Sequence, residues 1–172
     1  MCAVAGELAD EVKVGGSANP AVVPFIRDYI AVGEKKVGRA IGSVKIALGA
    51  VTVVDHDRVL ARAMARQAAV LYLPVVAPLD PSVQVEPELI QRLQHAADSG
   101  DFAGGAALIS DELLDKFAFS GNANDIIAQC EQLFVAGVER IELGTPHGVS
   151  VAATGIDIIG KQVLPALRTW WE

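Results

Sequence analysis

The sequence is poor in cysteine and histidine, and this excludes several kinds of site. It contains two cysteines and three histidines in 172 residues. Cys2 and Cys130 do not form a spaced pair, and Cys130 falls on the apolar face of a predicted helix, so we expect a buried thiol in a cytoplasmic protein. The run Asp55-His56-Asp57 predicts helix capping by Asp55, because adjacent side chains at a helix start point in different directions. We therefore expect neither a disulfide nor a metal site.

The sequence also lacks clustered basic residues and a long apolar segment. Its 14 basic and 21 acidic residues give a net charge of −7, which argues against nucleic acid as a partner. The longest apolar run, Ala68 to Leu79, is interrupted by prolines and is shorter than the roughly 20 residues of a membrane-spanning helix. The first residues do not show the pattern of a secretion signal. We therefore expect no nucleic acid or membrane partner, and a cytoplasmic location.

Apolar residues, by contrast, are abundant. They make up 52% of the chain, and the mean hydropathy is +0.38. Such a content is typical of folds in which helices cover both faces of a sheet, as in parallel α/β proteins. The length is that of one domain with a sizeable core, so we expect a single domain over residues 1–172.

The stretch from Ser120 to Gly148 predicts a helix, a strand and a glycine-rich loop, in that order. Asn122 begins a capping-box pattern, and the helix should end at Gly137. A buried strand, Val138 to Leu143, then opens into Gly144-Thr145-Pro146-His147-Gly148. In parallel α/β folds, ligands are held by loops at the carboxyl ends of the strands. This loop is therefore the first candidate site, with a plain turn as the alternative.

Two similar units precede this one. The first has a strand from Glu11 to Val14, the loop Gly15-Gly16-Ser17 and a helix from Ala21 to Val37. Backbone N–H groups beside these glycines can cradle a phosphate, although the spacing is not that of a dinucleotide fingerprint and a tight turn is the alternative. The second has the strand Val44 to Val54 and a helix from His56 to Tyr72. The β-branched, nearly continuous apolar run in the second unit predicts the interior of a parallel sheet.

Strand signals stop between the second and third units. The sequence predicts a helical insertion over residues 80–119, which contains the helices Pro87–Ala97, Asp101–Ile109 and Asp111–Phe119. A terminal helix is expected from Ser150 to Arg168. For Trp170 and Trp171, at the end of the chain, a packing role is favoured over base stacking.

Three parallel strands are too few for a complete sheet. A (β/α)8 barrel has eight strands, and an open doubly wound sheet has roughly five or more. The edges of a three-stranded sheet would expose unpaired backbone groups beside apolar surface. Either the natural protein is longer or the chain pairs with a partner. We expect an oligomer, at least a homodimer.

Three segments in this order carry a family resemblance: AGELADEVKVGGSANP, VKIALGAVTVVDHDRVLARAMAR and SGNANDIIAQCEQLFVAGVERIELGTPHG. They resemble the C-terminal part of the bacterial-luciferase-like flavin and coenzyme F420 oxidoreductases, closest to the methylenetetrahydromethanopterin reductase branch. The resemblance covers nearly all of this chain. It implies a partial (β/α)8 TIM barrel, about the last three of the eight βα units, with a helical insertion.

The resemblance implies an oxidoreductase that uses coenzyme F420 or FMN for hydride transfer or monooxygenation of a small-molecule substrate. The cofactor contacts that it implies come from two loops, one with Gly15, Gly16 and Ser17 and the other with Gly144, Thr145 and Pro146. His147 is a candidate neighbour of the ring or the substrate, with a surface histidine as the alternative. Because most of the barrel would be missing, the chain is expected to be inactive alone.

Two other functions stay open at this point. One is a non-catalytic part-barrel module that oligomerises through its sheet edges. The other is a small α/β protein that binds a phosphorylated metabolite through Gly15, Gly16 and Ser17.

Overall fold

The computed structural model describes residues 1–170, so the packing role predicted for Trp171 lies outside the described residues. The chain has an α/β fold with a parallel sheet. The strands are β1 (Glu11–Gly15), β2 (Lys45–Val54), β3 (Ala118–Gly121) and β4 (Arg140–His147). The α-helices are α1 (Cys2–Leu8), α2 (Val23–Lys36), α3 (Arg58–Ala69), α4 (Leu73–Val76), α5 (Pro87–Ser99), α6 (Phe102–Ala106), α7 (Asp111–Phe117), α8 (Ala123–Val135), α9 (Ala152–Ile158) and α10 (Leu164–Leu167).

The sheet is organised around β2, with which the other three strands pair in parallel. β4 fills one edge of β2, facing residues 47–53. β1 and β3 follow one another along the opposite edge, where β1 faces residues 45–49 and β3 faces residues 51–54. The three longer strands thus lie in the order β1, β2, β4, and each corresponds to a strand predicted from the sequence.

The short strand β3 was not predicted. The expected helix up to Phe119 is wrong, because α7 ends at Phe117 and the next four residues form β3. Gln129 of α8 holds this strand: its Oε1 accepts from Ser120 N (3.2 Å) and its Nε2 donates to Ala118 O (3.0 Å). The extended conformation therefore depends on β2 and α8, which are distant in sequence.

Apolar side chains form two clusters on opposite faces of β2. Alternate residues of a strand point to opposite faces. Ile46 and Leu48 accordingly join a cluster with α2, α8 and the C-terminal helices, whereas Val53 joins a cluster with α3 to α7. Because both faces of β2 are covered, nearly every one of its positions is apolar, as expected for the interior of a parallel sheet.

The helix starts follow the predicted caps with one correction. Asn122 Oδ1 accepts from two N–H groups in the first turn of α8, and Asp125 accepts from Asn122 N at 2.9 Å, which confirms the capping box. At the start of α3 the cap is Asp57, not Asp55 as predicted. Asp55 instead accepts from Asp57 N at 3.0 Å and so orients the turn that precedes the helix.

The predicted terminal helix is interrupted. A π-helical turn, Ile159–Val163, joins α9 to α10. Pro165 follows in α10, and its missing N–H prevents a regular α-helical ladder there. The chain then turns so that the ring of Trp170 stacks on Phe134, with ring centroids 5.4 Å apart and an interplanar angle of 21°. This contact is the packing role predicted for Trp170.

Within residues 1–170, no single helix is long and apolar enough to cross a membrane; α3 and residues 73–79 reach that length only as a pair bent by 64°. In the same part of the chain, no three His, Cys, Asp or Glu side chains come together as a group that could hold a metal ion.

Candidate functional site

One face of the sheet carries charged residues at the amino ends of its strands and glycines at the carboxyl ends. Two ion pairs, Glu11 with Arg140 and Lys13 with Glu142, bridge β1 and β4 across β2. The pairs are diagonal, because Lys13 and Arg140 both face Ala47, whereas Gly15 and Glu142 both face Gly49. Gly15 and Gly144 follow the pairs along their strands and have no side chains, so the sheet leaves space beside them.

A cavity of about 270 Å³ occupies this space. Gly15, Gly16 and Gly144 line it. Tyr72 and Val76, from the α3–α4 segment, and Val51 of β2 provide its larger apolar side chains. The two glycine-containing segments singled out in the sequence therefore contribute to one cavity, as the common direction of parallel strands requires.

Gly15 and Gly144 serve different purposes in this cavity. A methyl group built on Gly15 would meet no heavy atom within 4 Å, whereas one built on Gly144 would lie 2.7 Å from Ala50 O. Gly15 thus leaves the backbone of β1 open to a ligand. Gly144 is needed for the close approach of β4 to β2.

The loop after β1 does not form a phosphate cradle. Gly16 N and Ser17 N both donate to Gly49 O, at 2.6 and 3.1 Å, and Ala18 N donates to Lys116 O at 2.9 Å. These N–H groups are engaged within the chain. An anion in the cavity would need a different donor.

The same loop is fastened to the segment that follows α4. Ser17 Oγ accepts from Asn19 N at 3.2 Å, and Asn19 Nδ2 donates to Asp80 Oδ2 at 2.9 Å and to Ser82 Oγ at 2.8 Å. Ser17, Asn19 and Asp80 are all buried. Ser17 lines a smaller neighbouring cavity of about 80 Å³, so its part at the main cavity is to position the loop.

The structure corrects the extent of the second predicted loop. β4 runs on through Gly144, Thr145 and Pro146 to His147. Gly144 faces Val51 and His147 faces Val53, with an irregularity in the pairing between them at Thr145 and Pro146. The Thr145–Pro146 peptide is cis, and His147 has a left-handed backbone with φ 71°. The His147 ring is held by its own strand, with Nε2 2.9 Å from Leu143 O. Thr145, Pro146 and His147 do not line the 270 Å³ cavity.

Seven of the ten residues that line the cavity were not singled out as site residues in the sequence, among them Lys13, Glu142, Tyr72 and Val76. Lys13 and Glu142 had a signal, because charged and apolar residues alternate in both β1 and β4, as in strands with one polar face. Tyr72 and Val76 had none, since only the tertiary fold brings α4 to this place. The Tyr72 hydroxyl donates to Phe117 O at 2.7 Å, and burial raises the pKa of Tyr72. The Tyr72 ring is thereby a fixed, neutral wall.

Comparisons with known proteins agree on the family. A family model described as luciferase-like monooxygenase matches residues 1–140. The chain is similar to 5,10-methylenetetrahydromethanopterin reductase from Archaeoglobus fulgidus, with 30% identity over 176 residues, 98% of this chain and 52% of the relative. The reductase of that name from Methanopyrus kandleri is 26% identical, over 98% of this chain and 48% of the relative. The chain thus spans about half the length of these relatives.

Solved structures share the fold. The coenzyme F420 dependent tetrahydromethanopterin reductase from Methanopyrus kandleri superposes with a TM-score of 0.79 at 24% identity, over 96% of this chain and 47% of that one. An F420-dependent secondary alcohol dehydrogenase superposes with a TM-score of 0.65 at 20% identity, over 97% and 46%. The family model covers most of the sequence and confirms the family resemblance of its three segments. The chain belongs to the luciferase-like monooxygenase family.

Proposed function

We propose that this chain is the C-terminal, cofactor-holding part of a luciferase-like oxidoreductase that uses coenzyme F420 or FMN and acts on a small molecule. The observation that carries the proposal is the single cavity to which Gly15 and Gly144 both contribute. The names of the similar reductases and of the F420-dependent structures support it. The bound cofactor would supply the hydride chemistry, and the protein would position the reactants and exclude water.

The residues around the cavity fit part of such a cofactor. Gly15, Gly16 and Gly144 would contact it through backbone atoms, and Tyr72 and Val76 would cover it with apolar surface. A volume of about 270 Å³ is small beside complete ligand pockets, which span roughly 300–1,000 Å³. This chain would therefore supply one wall of the binding site, and other parts of the barrel would supply the rest.

The remaining candidate residues have supporting parts in this proposal. Ser17, Thr145 and Pro146 would fix the two segments that reach the cofactor. His147 remains a candidate neighbour of the ring or the substrate, because it ends β4 on the side of the sheet where the cavity opens. These roles rest on position along the strands, since none of the four residues lines the 270 Å³ cavity.

The proposed architecture is a single part-barrel domain over residues 1–172. The order β1, β2, β4 with intervening helices supports an assignment to the last three strands of a (β/α)8 barrel. Helices α3 to α7 share an apolar cluster with Val53 of β2 and Ala118 of β3. The proposed helical insertion is the segment 80–119 within this helical region.

The site is incomplete in this chain. In the part of the chain that the structure describes, β1 and β4 each pair only with β2, so their outer edges have no strand beside them. Unpaired edges favour addition of further strands. We propose that the rest of a barrel or a second copy of the chain covers them, that the chain is at least a dimer in a cytoplasmic setting, and that it is inactive alone.

The test is to titrate coenzyme F420 and FMN into two proteins and to follow fluorescence. One is the 172-residue chain, and the other is a form extended upstream in its natural reading frame. We expect micromolar binding of one cofactor to the long form and much weaker binding to the short form. Micromolar binding to the short form would contradict the proposal that the binding site is incomplete in this chain. If neither cofactor binds to the long form, the proposed oxidoreductase function is wrong.

The edges of β1 and β4 also favour a second candidate, a non-catalytic part-barrel module that oligomerises. It is the function left if the long form binds neither cofactor. A phosphate-metabolite site built on the N–H groups of Gly16 and Ser17 is not proposed, because both groups bond to Gly49 O.

A further inference from the structure

The sheet face under the cavity is more positive than the protein as a whole. Strand alternation places three cationic side chains on this face, Lys13, Lys45 and Arg140, and two anionic ones, Glu11 and Glu142. The whole chain has a net charge of −7. A local excess of positive charge in an acidic protein attracts an anionic ligand to this face.

Lys13 is the cationic residue among those that line the cavity, and Glu142 is the anionic one. They form an ion pair, and about half of each side chain is exposed, 47% for Lys13 and 50% for Glu142. An ion pair in such a position is weak, because water screens it. An anion that enters the cavity can therefore take the place of Glu142 at the Lys13 ammonium.

Other donors near the cavity are already engaged. Gly16 N and Ser17 N bond to Gly49 O, and Arg140 donates to both carboxylate oxygens of Glu11. Neither Arg140 nor Lys45 lines the cavity. Lys13 is thus the group best placed to receive an anion, and the open space above Gly15 gives the anion access.

We propose that Lys13 binds a phosphate group of the cofactor, and that Glu142 holds the ammonium in position and competes with the phosphate. Naming the cofactor as the source of the phosphate rests on the proposed function, whereas the anion site itself does not. Removing the charge of Lys13 should therefore weaken anion binding, whereas removing the charge of Glu142 should strengthen it. If the ion pair were purely structural, removing either charge would weaken anion binding.

The experiment uses inorganic pyrophosphate and the 172-residue chain, with the side-chain ammonium signals of lysine followed by NMR. The Lys13 signal is identified by its disappearance in Lys13→Arg. We expect pyrophosphate to shift this signal more than those of the other lysines. Glu142→Gln should tighten binding about two- to fivefold, because a weak competing ion pair is removed, and Lys13→Met should weaken it about tenfold through loss of a charge-assisted contact.

Two controls make the result specific. Lys13→Arg should retain most of the affinity, and Glu7→Gln, which frees Lys36 of α2 outside the cavity, should leave it unchanged. Thermal melts show whether each variant is folded. Equal shifts at all lysines, or weaker binding in Glu142→Gln, would overturn the proposal.

The cofactor as source of the phosphate is tested by comparing FMN with riboflavin, which lacks the phosphate, on the extended form. We expect the extended form to bind FMN more tightly than riboflavin, and we expect Lys13→Met to abolish this difference. A difference in affinity that persists in Lys13→Met would overturn the assignment of the phosphate to Lys13. Failure of both flavins and F420 to bind, with the pyrophosphate result intact, would remove the proposed function and leave the anion site.

Discussion

Gly6 of α1 and Gly33 of α2 pack backbone against backbone. A methyl group built on Gly33 would lie 1.8 Å from Ala3 O, and one built on Gly6 would lie 2.2 Å from Ile30 O. Both distances are far shorter than a carbon–oxygen contact. The two helices can therefore approach this closely only because neither residue has a side chain, and this crossing attaches the N-terminal helix to the rest of the chain.

Gly33→Ala should lower the free energy of unfolding by about 1–3 kcal/mol, because the methyl group forces α1 away from α2. Thermal or urea denaturation measures the change. Gly160→Ala is the matched control, since a methyl group there would meet nothing within 4 Å. Equal stability of the two variants would show that the helices do not pack as closely as described.

The two cavity glycines should respond differently to alanine. Gly15→Ala points into open space and should change the free energy of unfolding little, whereas Gly144→Ala meets Ala50 O and should cost about 1–3 kcal/mol. Gly15→Leu should leave the melting temperature nearly unchanged while it blocks cofactor binding to the extended form. Undiminished binding by Gly15→Leu would place the cofactor elsewhere.

Glu34 should make stability depend on pH. Its side chain is 1% exposed, and it accepts from Gly42 N, Val44 N and the Ser43 hydroxyl at 2.9, 2.9 and 3.1 Å. Burial acts to raise the pKa of Glu34, but these hydrogen bonds outweigh it and hold the pKa below its ordinary value of 4.5. A lowered pKa stabilises the fold above that value, and the stabilisation is lost as the pH falls through the folded-state pKa.

Glu34→Gln should therefore be less stable than the parent at pH 7, by about 1–3 kcal/mol for the weakened hydrogen bonds. The difference should narrow as the pH falls below 4.5. Urea denaturation of both proteins across this range measures it. A difference that is independent of pH would contradict the assigned ionised state.

The buried Arg62 should contribute more to the free energy of unfolding than the more exposed Lys116 of α7. Its side chain is 7% exposed, and it joins α3 to α7 by donating to Asp111 Oδ1 (2.9 Å) and Asp115 Oδ1 (2.6 Å). Arg62→Met should lower the free energy of unfolding by about 1–3 kcal/mol. Lys116→Met, which removes an exposed pair with Glu112, should cost less than about 0.5 kcal/mol. Equal costs would show that burial of Arg62 has no energetic effect.

The chain should sediment as an oligomer. The outer edges of β1 and β4 are unpaired within residues 1–170, and such edges pair readily with another chain. Analytical ultracentrifugation at micromolar concentration should show at least a dimer. A single 18.0 kDa species would contradict this prediction.

Local features of the sequence determined much of the fold. The apolar run of β2 predicted its strand to within one residue, because burial on both faces requires apolar residues at nearly every position. The capping box of Asn122 and Asp125 predicted the start of α8, because its hydrogen bonds join residues three apart. The ordered segments also identified the family, since they extend along nearly the whole chain.

Contacts between distant residues decided the rest, and no local pattern reports them. β3 is a strand because β2 and Gln129 hold it, and β4 extends to His147 because its pairing with β2 resumes at Val53 after an irregularity. Gly16 N cannot donate a hydrogen bond to a phosphate, because it already donates to Gly49 O. The pairing of Lys13 with Glu142 needs β1 and β4 to lie on either side of β2. The sequence by itself determined the three longer strands, the capping box of α8 and the family, whereas the tertiary structure decided which side chains line the cavity, because only packing brings them together.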